Sequence, residues 1–262
     1  MDGEIYFADR LREKFALPSG SEQGSTLEEW LQVVYKKDRA ALKERLECVQ
    51  EGKADAYEME YRLVDRAGQK VWVVCHGTVE RDKAGKPACL IGRISELTLG
   101  RTVDMLTGLF NVDKFMEDIS SHLETGEGYL MVVGIEDFKN INVKNGRSFG
   151  NYILKKVRDT LEEATEYPTR IYRMDGDRFG VHFPEKTKER VQEVYQAARK
   201  ALKKDCTISA GAVSYSVREQ MDGGMLYQYA ETALDQAKKK GYAGILFLCR
   251  LPERAGTAAA SG

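Results

Sequence analysis

The apolar positions of this chain change rhythm twice. A short apolar run, Ile5-Tyr6-Phe7, opens it. Trp30, Leu31, Val34 and Tyr35 then recur at three- and four-residue spacing, which predicts an amphipathic helix. Leu42, Leu46 and Val49 predict a second helix that ends at Gly52. Thr26-Leu27-Glu28-Glu29 sets a capping threonine three residues ahead of a glutamate, a helix start signal. From Tyr57 the pattern alternates and β-branched residues accumulate. Strands are predicted over 57–64, 70–80 and 88–97, with Trp72 in the core and His76 packed among apolar neighbours. The turn sequences Asp65-Arg66-Ala67-Gly68 and Asp82-Lys83-Ala84-Gly85 join them into an antiparallel meander.

Beyond residue 104 helical and strand rhythms alternate. Helices are predicted over 112–123, 150–164, 189–202 and 225–240, and strands over 129–135, 206–215 and 244–248. Residues 129–135 are almost continuously apolar, as suits a central strand covered on both faces. Two further apolar runs flank a tight turn to give a hairpin over 170–183. Alternating β and α elements with one hairpin predict an α+β domain around a central sheet.

Length and charge narrow the function. A chain of 262 residues fits two domains. Forty basic residues against 41 acidic ones argue against an electrostatic nucleic-acid binder. The longest apolar runs, such as 129–133 and 245–249, fall far short of the ~20 residues that span a bilayer. No leader pattern precedes them. Cys48, Cys75, Cys89, Cys206 and Cys249 are odd in number and widely spaced, without a C-x-x-C pair. They read as buried free thiols in a reducing cytoplasm. His76, His122 and His182 do not supply paired zinc-ligand spacings with them.

The richest stretch for chemistry is the hairpin tip, Arg173-Met174-Asp175-Gly176-Asp177-Arg178-Phe179-Gly180. Two aspartates flank a glycine, an arrangement that can support metal-assisted phosphate chemistry. A plain alternative is a surface ion pair between Asp177 and Arg178, worth about 0–1 kcal/mol.

Residues 1–98 resemble a PAS domain. The resemblance is carried by Tyr61-Arg62-Leu63, Asp65 with Gly68, Val71-Trp72-Val73, Arg81-Asp82 with Gly85, Leu90-Ile91-Gly92 and Glu96-Leu97-Thr98. It implies an antiparallel sheet with flanking helices, serving as a sensory or dimerisation module whose ligand the sequence does not specify. Residues 104–249 resemble the GGDEF domain of diguanylate cyclases through five motifs in order. These are the stretch 104–111, Phe138-Lys139-Asn140-Ile141-Asn142, Gly146 with Gly150, the hairpin tip, and Ala233-Leu234 with Ala237-Lys238 and Gly241. That resemblance implies a cyclase-like central sheet surrounded by helices. It also implies GTP with magnesium as ligands, and two facing domains that condense two GTP into cyclic di-GMP.

Carried over residue by residue, the resemblance implies an eroded site. The family's first metal-binding aspartate falls at Gly134, with Ile135 as the neighbouring carbonyl ligand. Asp177 retains the hairpin metal ligand. Arg178 replaces an acid associated with activity, and Asp175 replaces the first glycine of the signature Asp175-Gly176-Asp177-Arg178-Phe179. Lys139 and Lys238 fall where lysines contact phosphates, and Asn142 where guanine is read. Asn151 replaces an aspartate that accepts from guanine, and Tyr242 replaces a phosphate-binding arginine. An inhibitory product site does not match at Glu166-Tyr167-Pro168-Thr169. Glu136 lies on the same face as Gly134 by strand alternation, but ~6–7 Å along the strand. Read without the family, Lys139 is a loop lysine and Asn142 a turn or capping residue.

The expected organisation is a PAS domain (1–98), a linker (99–103), a degenerate GGDEF domain (104–249) and an Ala/Gly-rich tail (250–262). Five residues with a glycine cannot form a coiled-coil connector. The sequence therefore predicts a cytoplasmic bacterial signalling protein of cyclic di-GMP type without cyclase turnover. Its expected partners are a second copy, a signalling domain such as a phosphodiesterase, or weakly bound GTP. An active magnesium-dependent diguanylate cyclase and a non-binding scaffold are the alternatives.

Overall fold

The structure is a computed structural model and describes residues 5–17, 24–85, 87–97, 101–166, 169–218, 221–239 and 244–248. The chain forms two units, Met1–Leu99 and Gly100–Gly262, each with its own core.

In the first unit, helices α1 (Asp9–Phe15), α2 (Leu27–Val33) and α3 (Arg39–Gln50) precede strands β1 (Ala56–Val64), β2 (Lys70–Arg81) and β3 (Pro87–Glu96). The strands form an antiparallel sheet in the order β1-β2-β3. Both turns close as their sequences require. Asp65 Oδ1 accepts from the Ala67 and Gln69 N–H groups at 2.9 and 2.8 Å, and Asp82 Oδ1 accepts from Ala84 N–H at 2.8 Å. Gly68 and Gly85 take φ of +76° and +78°, where an L side chain is strained. Met59, Tyr61, Leu63, Val73 and Cys75 face inward against Phe15, Trp30, Val34, Leu42 and Leu46.

Four expectations for this unit need correction. The helix with Trp30 stops at Val33, and the fully buried Val34 is extended and bridges Leu63. Helix α1 was not apparent in the sequence, and Ile5 makes a single bridge to Ser25. Trp72 and His76 sit on the other face of β2 from Val73 and Cys75. Trp72 is half-buried with the Arg62 guanidinium 4.8 Å over its ring, and His76 is exposed with Nδ1 2.9 Å from Glu58. Among the described cysteines all four are free, but only Cys75 is buried; Cys89 is exposed because it points outward from β3.

The second unit contains α4 (Val112–Thr125), β4 (Glu127–Ile135), α5 (Phe138–Asn145), α6 (Arg147–Ala164), β5 (Arg170–Arg173) and β6 (Arg178–Pro184). It continues with α7 (Lys188–Leu202), β7 (Ile208–Ser216), α8 (Gly223–Lys239) and β8 (Ile245–Leu248). The sheet order is β5-β6-β4-β7-β8, antiparallel except for the last pair. The apolar β4 lies at its centre between β6 and β7. Alternate residues of β4 and β7, including Val133, Ile135, Ala210 and Ala212, pack with α6 and α7. Gly211 points the other way, where its lack of a side chain lets the α8 backbone approach. Mixed helix and sheet around a central β-layer is the expected α+β fold.

The stretch 104–111 is a buckle on the edge of this sheet. Asp104 Oδ1 accepts from the Thr107 N–H at 2.8 Å and its hydroxyl at 2.6 Å, and Asn111 caps α4 by accepting from Lys114 N–H. Val103 bridges Phe110, and Phe110 bridges Tyr172 on β5. Thr102 and Val103, expected in the linker, therefore belong with the second unit. No helix among the described residues is long and apolar enough to cross a membrane. The tail 250–262 lies outside the described residues.

Candidate functional site

The end of β4 and the β5–β6 turn meet at Gly134. Its neighbours across the ladder are Arg178 on β6 and Ser209 on β7. Arg173 holds the turn from below. Its guanidinium donates to the Arg178 carbonyl at 2.8 Å and to the Gly176 carbonyl, and lies 4.8 Å over the Phe179 ring. Burial lowers the affinity of that guanidinium for its proton, while the carboxylates of Asp104, Asp177 and Asp175 act to restore it. Gly176 has φ of +63°, a conformation natural to glycine at the apex. The turn is thus rigidly specified.

Helix α8 crosses this turn and supplies its charges. Lys238 Nζ donates to the Ile135 carbonyl at 3.3 Å and pairs with Asp177 Oδ2 at 3.5 Å. A Cβ at position 134 would lie 2.9 Å from that nitrogen, so the bare glycine makes the room the ammonium occupies. Arg178 turns to Glu231, its closest partner, and to Asp235 at 3.6 Å. The net effect raises its affinity for a proton: burial opposes the charge, but Glu231, the Tyr227 phenol and then Asp235 together outweigh it. The phenol of Tyr227 beside this pair is shifted up, first by burial and then by Glu231. The hairpin tip does not close on itself as an Asp177–Arg178 pair. Each residue is drawn to an opposite charge on α8.

Glu136 also departs from its expected place. The strand ends at Ile135, and Asp137 takes φ of +53°. The Glu136 carboxylate acts on the Tyr195 phenol of α7, on the sheet face opposite α8. Its Oε1 is buried without a hydrogen-bond partner. It cannot replace a side chain missing at Gly134.

These residues do not fit a divalent ion. Magnesium takes oxygen ligands at ~2.0–2.1 Å in near-octahedral order. Here the Ile135 carbonyl and the Asp177 carboxylate offer oxygens, Gly134 offers no side-chain oxygen, and an ammonium stands between them. No cluster of three or more His, Cys, Asp or Glu suited to a metal occurs among the described residues.

A second feature lies between α5 and α6. Phe138, Lys139, Asn142 and Val143 from the first helix face Arg147, Asn151 and Leu154 from the second across a cleft of about 610 Å³. Lys139, Asn142 and Asn151, singled out separately in the sequence, line one space. Asn142 rests against the helix backbone at Gly150, where a Cβ would overlap its side-chain carbonyl. Gly146, with φ of +81°, turns the chain between the helices. Lys139 and Asn142 lie on a helix rather than in a loop, which corrects the plain reading of both. Val143, which lines the cleft, is exposed, and elsewhere on α6 the exposed rings of Phe149 and Tyr152 pack with centroids 5.9 Å apart. Lys238 is engaged by the protein itself, and Tyr242 lies outside the described residues. Glu166 pairs with Arg190 at 3.2 Å, and Tyr167 and Pro168 lie outside the described residues.

The partners of the turn were not legible in its sequence. Glu231 and Asp235 look like ordinary acids on an exposed helix stripe. Their one local signal is a four-residue spacing that places both on the same helix face.

Comparison with known proteins places both units. The family model described as "Diguanylate cyclase, GGDEF domain" matches residues 101–243, and the PAS-fold model matches residues 5–94. Diguanylate cyclase DgcS of Shewanella oneidensis is 27% identical over 157 residues, covering 56% of this chain and 52% of that protein. Diguanylate cyclase VdcA of Vibrio cholerae is 26% identical over 151 residues, covering 53% of this chain and 44% of that protein. The chain thus spans about half the length of these relatives. The crystal structure of the GGDEF domain of DgcB from Caulobacter crescentus in complex with c-di-GMP matches with a TM-score of 0.53 at 21% identity. It covers 58% of this chain and 95% of that one. The FimX GGDEF domain from Pseudomonas aeruginosa matches with a TM-score of 0.51 at 19% identity, covering 56% and 99%. Those two likenesses establish the fold, and the family match, which takes in more than half of the sequence, establishes that this chain belongs to the diguanylate cyclase GGDEF-domain family, here preceded by a PAS fold.

Proposed function

We propose that this chain is a regulatory PAS–GGDEF protein of cyclic di-GMP signalling, whose PAS unit senses and whose GGDEF unit binds a guanine nucleotide without cyclising it. The observation that carries the absence of turnover is Arg178, held against Glu231 and Asp235 of α8 where the family places an acid. Condensation of two GTP requires anionic ligands that hold magnesium, shield the phosphates and stabilise the developing oxyanion. A guanidinium offers no ligand oxygen at that position, and the two nearest carboxylates of α8 are committed to it rather than to an ion. Nucleotide binding is supported separately by the cleft, which gathers two amides and two cations beside apolar side chains.

The test is incubation of the protein at high concentration with GTP and magnesium, with chromatographic detection of cyclic di-GMP and calorimetric titration of GTP alongside. Binding without product is the expected result. Product formed at an ordinary cyclase rate would reject the silent reading, and the absence of any binding would leave a scaffold.

A further inference from the structure

We propose that the Lys238 ammonium is the resident cation of this GGDEF unit, standing where the family's divalent ion belongs, so that nucleotide is bound without magnesium. The inference rests on the nucleotide-binding reading above and deepens it.

Three observations at one point carry it. The Ile135 carbonyl and the Asp177 carboxylate are the two metal-ligand positions that the chain retains, and both converge on Lys238 Nζ. The third position, Gly134, carries no side chain, and a Cβ there would come within 2.9 Å of the same nitrogen. A side chain at 134 and the Lys238 ammonium therefore compete for the same space. The charge balance agrees. One ammonium against one carboxylate leaves the cradle neutral, with Arg178 offset separately by Glu231 and Asp235, whereas a divalent ion on the same two oxygens would leave an excess positive charge beside Lys238.

The chemistry of an ammonium suits the role. It carries three N–H donors and no acceptor. Two are directed to Ile135 and Asp177 among the described residues, which leaves one for a phosphate oxygen. Lys238 sits on α8 with a quarter of its side chain exposed, so this third donor is accessible to a ligand. A single positive charge can anchor a phosphate. It cannot bridge several phosphate oxygens in fixed octahedral geometry as magnesium does. An ammonium in place of the metal thus preserves attachment and forfeits the alignment that condensation needs.

The decisive experiment is calorimetric titration of GTP into the protein with magnesium, and again with EDTA, paired with electron paramagnetic titration of Mn²⁺ in the absence of nucleotide. The inference expects the two GTP dissociation constants to agree within about twofold and Lys238→Met to weaken both by about tenfold or more. It also expects the wild-type protein to leave Mn²⁺ free, and the double variant Gly134→Asp/Lys238→Met to capture it. GTP binding that disappears in EDTA would overturn the resident cation while leaving the nucleotide-binding reading intact. If GTP binds under neither condition, the nucleotide-binding reading fails, and the Mn²⁺ arm still decides the cation. Capture of Mn²⁺ by the wild type would overturn it, and capture only by the double variant would uphold it.

Discussion

Asn142 occupies the cleft because Gly150 has no side chain. A methyl at 150 would overlap the Asn142 carbonyl oxygen and lie 2.9 Å from Cγ. The obstructing atoms form the far end of a side chain, so Gly150→Ala displaces Asn142 rather than α6. Alanine also favours a helix interior over glycine by up to about 1 kcal/mol, so the unit stays folded. The expected outcome is a thermal midpoint that is unchanged or higher, with GTP affinity reduced about tenfold, some 1.4 kcal/mol. Unaltered affinity would remove Asn142 from the binding surface. At this scale three residues of the cleft were singled out one by one through the family resemblance, though the cleft itself was not, and the cradle was only half legible. Lys139, Asn142 and Asn151 belong to two consecutive helices, so a short sequence window brings them together. Ile135 and Lys238 lie 103 positions apart. Sequence can place each on its element, but not the ammonium on the carbonyl, because that contact depends on how α8 crosses the sheet.

Among the elements, α2 shows how much a local signal can specify. Thr26 accepts from the Glu29 N–H at 3.2 Å, and Glu29 Oε2 accepts from the Thr26 N–H at 2.7 Å, so the box expected from four letters closes on both sides. Thr26→Ala leaves the Glu29 N–H without that partner and costs about 1 kcal/mol. The chain's two tryptophans, Trp30 and Trp72, both lie in the PAS unit. Intrinsic tryptophan fluorescence in urea therefore isolates this change, as a lower midpoint with the same slope. A midpoint equal to wild type would show that tertiary packing of Trp30, not the cap, sets the start of α2. The end of the same helix was illegible. Val34 keeps the helical spacing, but burial against Leu63 as an extended residue wins over one more helical turn. Helix α5 escaped notice for a related reason. It is eight residues long, buries none fully and contains Asn140, Asn142 and Asn145, which locally favour turns. Its start depends on the left-handed Asp137, whose carboxylate accepts from Asn140 at 2.5 Å. No hydrophobic periodicity announces such a helix, yet half of the cleft stands on it.

Over the whole molecule the two units have separate cores, and a deeply buried imidazole lies in the second. The GGDEF unit buries His182 almost completely, with Nε2 2.6 Å from the Tyr215 hydroxyl and the His122 ring edge-on at 4.7 Å between centroids. Burial, reinforced by His122 and Arg170 and opposed only by Asp118, lowers its pKa to about 3. The unfolded chain restores a value near 6.5. Between those limits the unfolded state binds the proton that the folded state refuses, so stability rises with pH across this window and is complete above it. Acidification from about pH 6.5 towards 3 therefore destabilises the GGDEF unit by up to about 1.4 kcal/mol per pH unit. Asp118 adds to the loss at the acid end. Burial alone would raise its pKa, but Arg170, Lys114 and the Tyr172 hydroxyl outweigh that and hold it below the usual carboxylate range. His182→Phe removes the main titration and leaves the Tyr215 hydroxyl without its partner, at a cost of about 1–3 kcal/mol. The variant is thus expected to be less stable than wild type at pH 8 and to lose less on acidification, so that the two stability curves converge. Far-UV circular dichroism in urea from pH 4 to pH 8 measures both curves. Tryptophan fluorescence from the PAS unit supplies the control, because the His182 effect must be absent from it. An acid limb of equal steepness in wild type and variant would assign the acid sensitivity to other groups and deny the buried imidazole its part.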